Sequence, residues 1–233
     1  MTFPVTLKKA TNRKKSKSGI KMIKIEKTEI FGWEAAIRGM RNSFNSWDKS
    51  DSRYDPQTGK YEVGPADVEL MDRLSRSGPS HAKFLRYITV QFDITAPRYW
   101  WAEMDTYKVG TVRNSCSTMH KVQAKEFVRD DFSCEHLNEE SLKALDVLIA
   151  TINAARDRFN NEGKNKDDWW QMIQLLPASL NQKATMQLNY QVLRGIYETR
   201  RNHRLDEWHV FCDWIKQLPY SNLIIPPAKT DSE

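Results

Sequence analysis

Residues 92–121, FDITAPRYWWAEMDTYKVGTVRNSCSTMHK, hold the reading on which the fold turns. Leading into them, Ile88, Val90, Phe92 and Ile94 alternate with Thr89, Gln91, Asp93 and Thr95, the period-2 pattern of a strand with one buried face. Pro97 has no amide hydrogen to give, so it ends the ladder and suits the first turn of a helix carrying Tyr99, Trp100, Trp101 and Met104. Beyond Tyr107 the chain turns small and polar through Gly110, Thr111, Asn114, Ser115, Ser117 and Thr118. Hydroxyls and amides beside Lys108, Arg113, His120 and Lys121 can hold an anion such as a phosphate. The same composition also serves an ordinary surface loop, and loop chemistry alone leaves both readings open.

Outward from this stretch, 233 residues suffice for one domain with a buried core, and 39% hydrophobic residues supply its material. The net charge of +6 suggests a polyanion partner until its distribution is read. Met1 to Lys21 carries seven cations and no acid, so removing those seven from +6 leaves the remainder at −1. Residues 1–21 therefore read as a basic, disordered tail, and nucleic acid is an expected partner only through it. Residues 22–225 are expected to form a single domain and 226–233 a polar, proline-containing tail. The basic N-terminus lacks the apolar run of a signal peptide, and no segment approaches the roughly 18 apolar residues of a membrane span. A cytoplasmic protein without a membrane partner is expected. Cys116, Cys134 and Cys212 form no CxxC pair, and Cys134 with His136 has no second pair at ligand spacing, so neither a disulfide framework nor a metal site is expected.

Taken in order, Trp33 to Met40 reads as a short helix, and Asp55-Pro56-Gln57-Thr58-Gly59 as a turn in an excursion from Asn45 to Gly64 that could be a lid. Pro65 opens a helix with Val68, Leu70, Met71 and Leu74. A long amphipathic helix carries Leu142, Leu145, Leu148, Ile149, Ile152 and Phe159, with Asn138 or Ser141 as its cap. A short helix with Trp169, Trp170 and Met172 leads to Leu176-Pro177. The stripe Leu180, Ala184, Leu188, Val192 and Ile196 then predicts a second long helix from about Ser179 to Asn202. Asn189 and Arg200 would share one face of it, roughly 16 Å apart. Trp208, Phe211, Cys212 and Ile215 mark a last helix and place Cys212 in packing.

Two segments together resemble the flavin-dependent thymidylate synthase family. Ile94-Thr95-Ala96-Pro97 matches that family's strand-ending turn. Thr106-Tyr107-Lys108-Val109-Gly110-Thr111 falls where its RHRxxS lies, and Asn114-Ser115-Cys116-Ser117 where its NExS lies, with one extra residue between. From Leu176-Pro177 onward, Asn189, Arg200 and Trp208 follow the family's order, and His81 stands at its upstream histidine. The resemblance covers roughly residues 65–218. Departures are Thr106-Tyr107-Lys108 for RHR, Ser115 for the glutamate, Met119-His120 for the final RY, Ile173 for an arginine before LP and Gln191 for a flavin-binding arginine. Lysine keeps charge but not the bidentate fork that holds a phosphate.

The resemblance implies an α/β (α+β) fold, an antiparallel or mixed sheet packed with long helices, assembled as a homotetramer. It implies reductive methylation of dUMP to dTMP, a methyltransferase step of nucleotide biosynthesis, with FAD as cofactor and NADPH and methylenetetrahydrofolate as co-substrates. By the same resemblance Arg200 and Ser117 are the catalytic candidates. Lys108, Glu103, Arg200 and Ser117 are the substrate-binding ones, and Asn189, Asn114, Tyr107 and His81 would face the flavin. A second implication is a non-catalytic nucleotide-binding or interaction protein of the same fold whose flavin site has decayed. Cys116 admits a third chemistry, thiolate attack on a pyrimidine, if Lys108 or His120 lowers its pKa.

Overall fold

The computed structural model describes residues 22–225; the basic tail and the last eight residues, read above as a disordered tail and a polar tail, lie outside it. β1 (Lys24–Phe31), α1 (Trp33–Asn42), the short strands β2 (Arg53–Tyr54) and β3 (Tyr61–Glu62), and α2 (Pro65–Arg76) come first. β4 (Thr89–Pro97) runs directly into α3 (Arg98–Met104), followed by β5 (Val112–Ser115) and α4 (Thr118–Lys121). α5 (Glu139–Asn161), α6 (Lys166–Leu175), β6 (Asn181–Asn189), α7 (Tyr190–Arg200) and α8 (Asp206–Lys216) complete the chain. The main sheet has four strands in the order β1-β4-β6-β5, all antiparallel. The class is the mixed α/β expected, with helices gathered on an antiparallel sheet.

The alternation read at residues 88–95 holds: Val90, Phe92, Ile94 and Ala96 are buried, and the residues between them half-buried. Their buried face packs with α1, α2, α3, α7 and α8 into the principal core. Trp100 and Trp208 meet there with ring centroids 4.8 Å apart, fixing α3 against α8. A second core lies under α5 and α6, joining Ile149, Ile152 and Met172 to Phe127, Phe132 and Leu180. Asn138 caps α5, its side chain accepting the Ser141 amide at 2.9 Å, with Glu139 and Glu140 in the first turn complementing the helix dipole.

The helix expected over residues 179–202 is a strand followed by a helix. Leu180, Ala184 and Leu188 sit four apart, which suits one helical stripe, but they are also in phase with period 2, with Gln182 and Met186 at the positions between. β6 pairs with β4 along its whole length and with β5 on its other side, so its amides and carbonyls gain partners on both edges. Asn189 marks the switch, its Oδ1 accepting the Val192 amide at 2.9 Å as the N-cap of α7. The loop expected after Tyr107 contains the edge strand β5 and the single turn α4, which Ser117 caps by accepting from the His120 amide at 3.2 Å.

The 45–64 excursion is pinned. Asp67, wholly buried, accepts from Arg41 Nε at 2.6 Å, Ser50 Oγ at 2.7 Å and Ser52 Oγ at 2.6 Å. Arg41 Nη1 reaches the Ser46 carbonyl at 3.1 Å, and Asp51 accepts the Ala66 amide at 2.9 Å. Burial by itself would raise the Asp67 pKa, but the bonds from Ser50, Ser52 and Arg41 outweigh it and hold it below its ordinary value. A segment tied at several points to a buried carboxylate is part of the framework and not a lid. Among the described residues no helix is long and apolar enough to cross a membrane.

Candidate functional site

The C-terminal ends of α3 and α7 meet at one polar cluster. Arg200, the last residue of α7, donates from Nη1 to Glu103 Oε2 at 2.8 Å and from Nε to Tyr107 Oη at 2.9 Å. Trp208 Nε1 donates to the same Glu103 oxygen at 2.9 Å. His203 Nδ1 accepts the Leu205 amide at 3.2 Å, so the proton of the neutral ring sits on Nε2, 3.3 Å from Glu103 Oε2. Thr199 Oγ1 donates to the Gly195 carbonyl, which leaves the Tyr107 hydroxyl to donate to Thr199 Oγ1 at 2.8 Å and to accept from Arg200. The guanidinium also lies 4.9 Å from the Trp208 ring centroid and 5.6 Å from that of Tyr107, a cation on two aromatic faces.

These bonds leave a defined remainder. Glu103 Oε2 accepts two N–H groups, from Arg200 and Trp208, with His203 Nε2 3.3 Å away, whereas Oε1 has no partner among the described residues. Arg200 Nη2 likewise has none. The side chains are 18% exposed for Arg200 and 32% for Glu103, so both atoms belong to groups that reach the surface. An acceptor and a donor on two side chains already bonded to each other complement a ligand edge that carries an N–H beside a carbonyl.

The expected residues divide into three groups. Glu103, Tyr107 and Arg200 come together as described. Asn189 lies against the same loop: a Cβ on Gly110 would come within 2.9 Å of Asn189 Nδ2 and 3.2 Å of Val192 Cγ2, and Gly110 has φ +75°. Lys108 beside it is exposed, with no ion pair among the described residues. Ser117 is elsewhere, lining a cavity of about 310 Å³ with Cys116, Thr118 and Lys121 that contains neither Glu103 nor Arg200. Asn114 is exposed on β5, and His81 is exposed in the turn before a 3-10 segment that packs on α1 and α7. Gln191, at the expected second flavin arginine, lines another cavity of about 310 Å³ with Gly78, Pro79 and Arg194.

Arg113 is unavailable as a phosphate clamp. Its Nη1 bonds both Asp105 carboxylate oxygens at 2.7 Å, Nη2 bonds Gln182 at 2.8 Å, and its Cζ lies 3.8 Å from the Trp101 ring centroid. Cys212 is buried, and burial pushes its thiol up to about 11, in keeping with a packing role. Cys116 is exposed. Among the described residues no group of three or more His, Cys, Asp or Glu side chains is placed to hold a metal. The sequence reading missed His203 and Thr199. Both fall within one turn of Arg200, and the cationic run Arg200-Arg201-Asn202-His203-Arg204 was the available signal.

No family model matches the chain, and no curated protein matches it in sequence. Among solved structures, it is similar to flavin-dependent thymidylate synthase ThyX from Helicobacter pylori complexed with FAD and dUMP, with a TM-score of 0.59 and 18% identity over 85% of this chain and 94% of that one. A second structure of that protein, also with FAD and dUMP, gives a TM-score of 0.59 and 17% identity over 87% and 95%. The fold is shared with these enzymes.

Proposed function

We propose that the protein is a divergent flavin-dependent thymidylate synthase that binds dUMP at the Glu103–Arg200 pair and reductively methylates it to dTMP. The observation that carries this reading is the unpartnered acceptor–donor pair, Glu103 Oε1 and Arg200 Nη2. A uracil ring offers an N–H flanked by carbonyls, so Glu103 takes the ring N–H while Arg200 donates to the adjacent oxygen. Arg200 also favours negative charge developing on the ring, and the Tyr107 hydroxyl with the Trp208 face keeps the guanidinium oriented for it.

FAD would supply the reducing equivalents, with NADPH and methylenetetrahydrofolate as co-substrates. Donors at the start of α7 and in the loop that lies against it suit it in kind. Asn189 brings an amide, and Thr111 a hydroxyl whose Oγ1 is buried without a partner among the described residues. Lys108, exposed and without an ion pair among the described residues, is the cation of the expected set available to the nucleotide phosphate, and His81 and Asn114 offer the flavin further polar contacts. Because the cavity that Ser117 lines does not include Arg200, the proposed active form is a homo-oligomer, a tetramer by the resemblance. In it Ser117 and Lys108 meet the nucleotide phosphate from neighbouring copies.

A second reading, a nucleotide-binding protein without turnover, is favoured by one observation: the Glu103 carboxylate neutralises the arginine that would polarise the ring. Release of C5 tritium from labelled dUMP with FAD, NADPH and methylenetetrahydrofolate supplied separates the two. Release supports the synthase. Thermal stabilisation by dUMP without release supports the second reading, and neither signal would defeat both.

A further inference from the structure

Glu103 and Arg200 have little freedom in what they offer a ligand. Arg200 Nε is bonded to Tyr107 Oη and its Nη1 to Glu103 Oε2, which leaves Nη2 as the nitrogen without a partner among the described residues. The Tyr107 hydroxyl proton is committed to Thr199 Oγ1, and the neutral His203 ring turns its Nε2 proton toward Glu103 Oε2. That same oxygen is held by two donors, Arg200 Nη1 and Trp208 Nε1. A flip of the carboxylate would exchange its oxygens without changing what faces outward, because each is an acceptor only. An amide or hydroxyl there could turn to donate, and a carboxylate has no such choice. The pair presents one fixed acceptor and one fixed donor, and neither tests whether C4 of a pyrimidine carries an oxygen or an amino group.

Two pyrimidine edges satisfy such a pair. Uracil gives its N3–H to Glu103 Oε1 and takes Arg200 Nη2 on O4. Cytosine, whose N3 carries no hydrogen at neutral pH, gives an N4–H to Glu103 Oε1 and takes Arg200 Nη2 on N3. The ring is displaced by one position along the same two protein atoms, and a glutamate that accepts from the cytosine amino group is a common pairing in base recognition. We infer that the Glu103–Arg200 pair binds dCMP as well as dUMP, glutamate selecting for an N–H beside an acceptor and not for a 4-oxo group. Resting as it does on the pyrimidine site proposed above, this second ligand competes with dUMP for one pair of atoms. Each base keeps both charge-assisted hydrogen bonds, so the two affinities should lie within about 10-fold of each other.

The test is the rise in melting temperature of the full-length protein, with FAD supplied, as dUMP, dCMP or N4,N4-dimethyl-dCMP is titrated in. The dimethyl analogue has no N–H to give Glu103 and should bind at least ~10-fold more weakly than dCMP, the loss of one charged hydrogen bond. Glu103→Ala should weaken dUMP and dCMP by about the same factor, and the variant's melting temperature without ligand shows whether it is folded. Stabilisation by dUMP with none by dCMP would overturn the inference and leave the dUMP reading standing. A dimethyl analogue that binds as tightly as dCMP, or a dCMP affinity unchanged in both Glu103→Ala and Arg200→Ala, would mean that cytosine is held elsewhere and would also overturn it. Stabilisation by dCMP alone, lost in Glu103→Ala, would support the cytosine contact and remove dUMP as the ligand. Stabilisation by neither nucleotide would defeat both.

Discussion

Two arginine–carboxylate pairs in this protein have nearly the same bond lengths and opposite characters. Arg41–Asp67 spans 2.6 Å with side chains 5% and 0% exposed; Ser46 accepts from Arg41 Nη1, and Ser50 and Ser52 donate to the second Asp67 oxygen, so both carboxylate oxygens are met. Arg200–Glu103 spans 2.8 Å at 18% and 32% exposure, with one oxygen and one nitrogen unmet among the described residues. The first is closed, and it joins the 45–64 segment to α1 and α2. The second is tethered on one side by Tyr107, Trp208 and His203 and open on the other. Similar chemistry thus serves framework or recognition according to whether the carboxylate is buried with both oxygens met within the chain.

The largest expected effect falls on the closed pair. Asp67→Ala leaves Arg41 buried and uncompensated and should destabilise the protein by about 3–5 kcal/mol in urea unfolding. Glu103→Ala, more exposed and screened by solvent, should cost about 1 kcal/mol or less. Equal losses would erase the contrast. Arg200→Ala should abolish the melting-temperature rise given by dUMP while Arg41→Ala lowers the melting temperature with or without it. A nucleotide response that survives Arg200→Ala would remove the open pair from recognition.

Acid sharpens the same comparison. Asp67 has a folded pKa below its unfolded one, so folding releases its proton more readily and its contribution is complete at pH values above the ordinary carboxylate range. That contribution is lost as the pH falls from about 4 toward the folded pKa. Urea midpoints of the wild type should therefore drop more steeply over this window than those of Asp67→Asn, whose residual slope reports the other carboxylates. Identical slopes would mean that Asp67 does not carry acid sensitivity. The smallest change concerns neither pair. Asn138→Ala removes one helix cap and should cost about 1 kcal/mol, a scale against which the loss from Glu103→Ala can be placed.

The strand–proline–helix run at 88–104 was legible because each signal in it is local: alternation, a missing amide hydrogen, then aromatic residues on one turn. The α5 cap was legible for the same reason. The stripe from Leu180 to Ile196 misled because four-residue spacing satisfies both periods until a neighbouring strand supplies hydrogen bonds. Of the site, Glu103, Tyr107 and Arg200 could be named as candidates from their order in the chain. That they bond one another, and that Ser117 lines a separate cavity, could not.

The sequence by itself determined where the sheet's central strand begins and ends, which helices are amphipathic, and that the cations of the first 21 residues are segregated from a near-neutral remainder. These follow from side-chain period, proline and charge within a few residues of each other. Only the tertiary structure decided that 181–189 is a strand, that Arg113 is locked on Trp101 and Asp105, and that Glu103 both steadies Arg200 and neutralises it. Those outcomes depend on partners distant in the chain. A hydrogen bond, unlike a periodicity, exists only when both groups arrive.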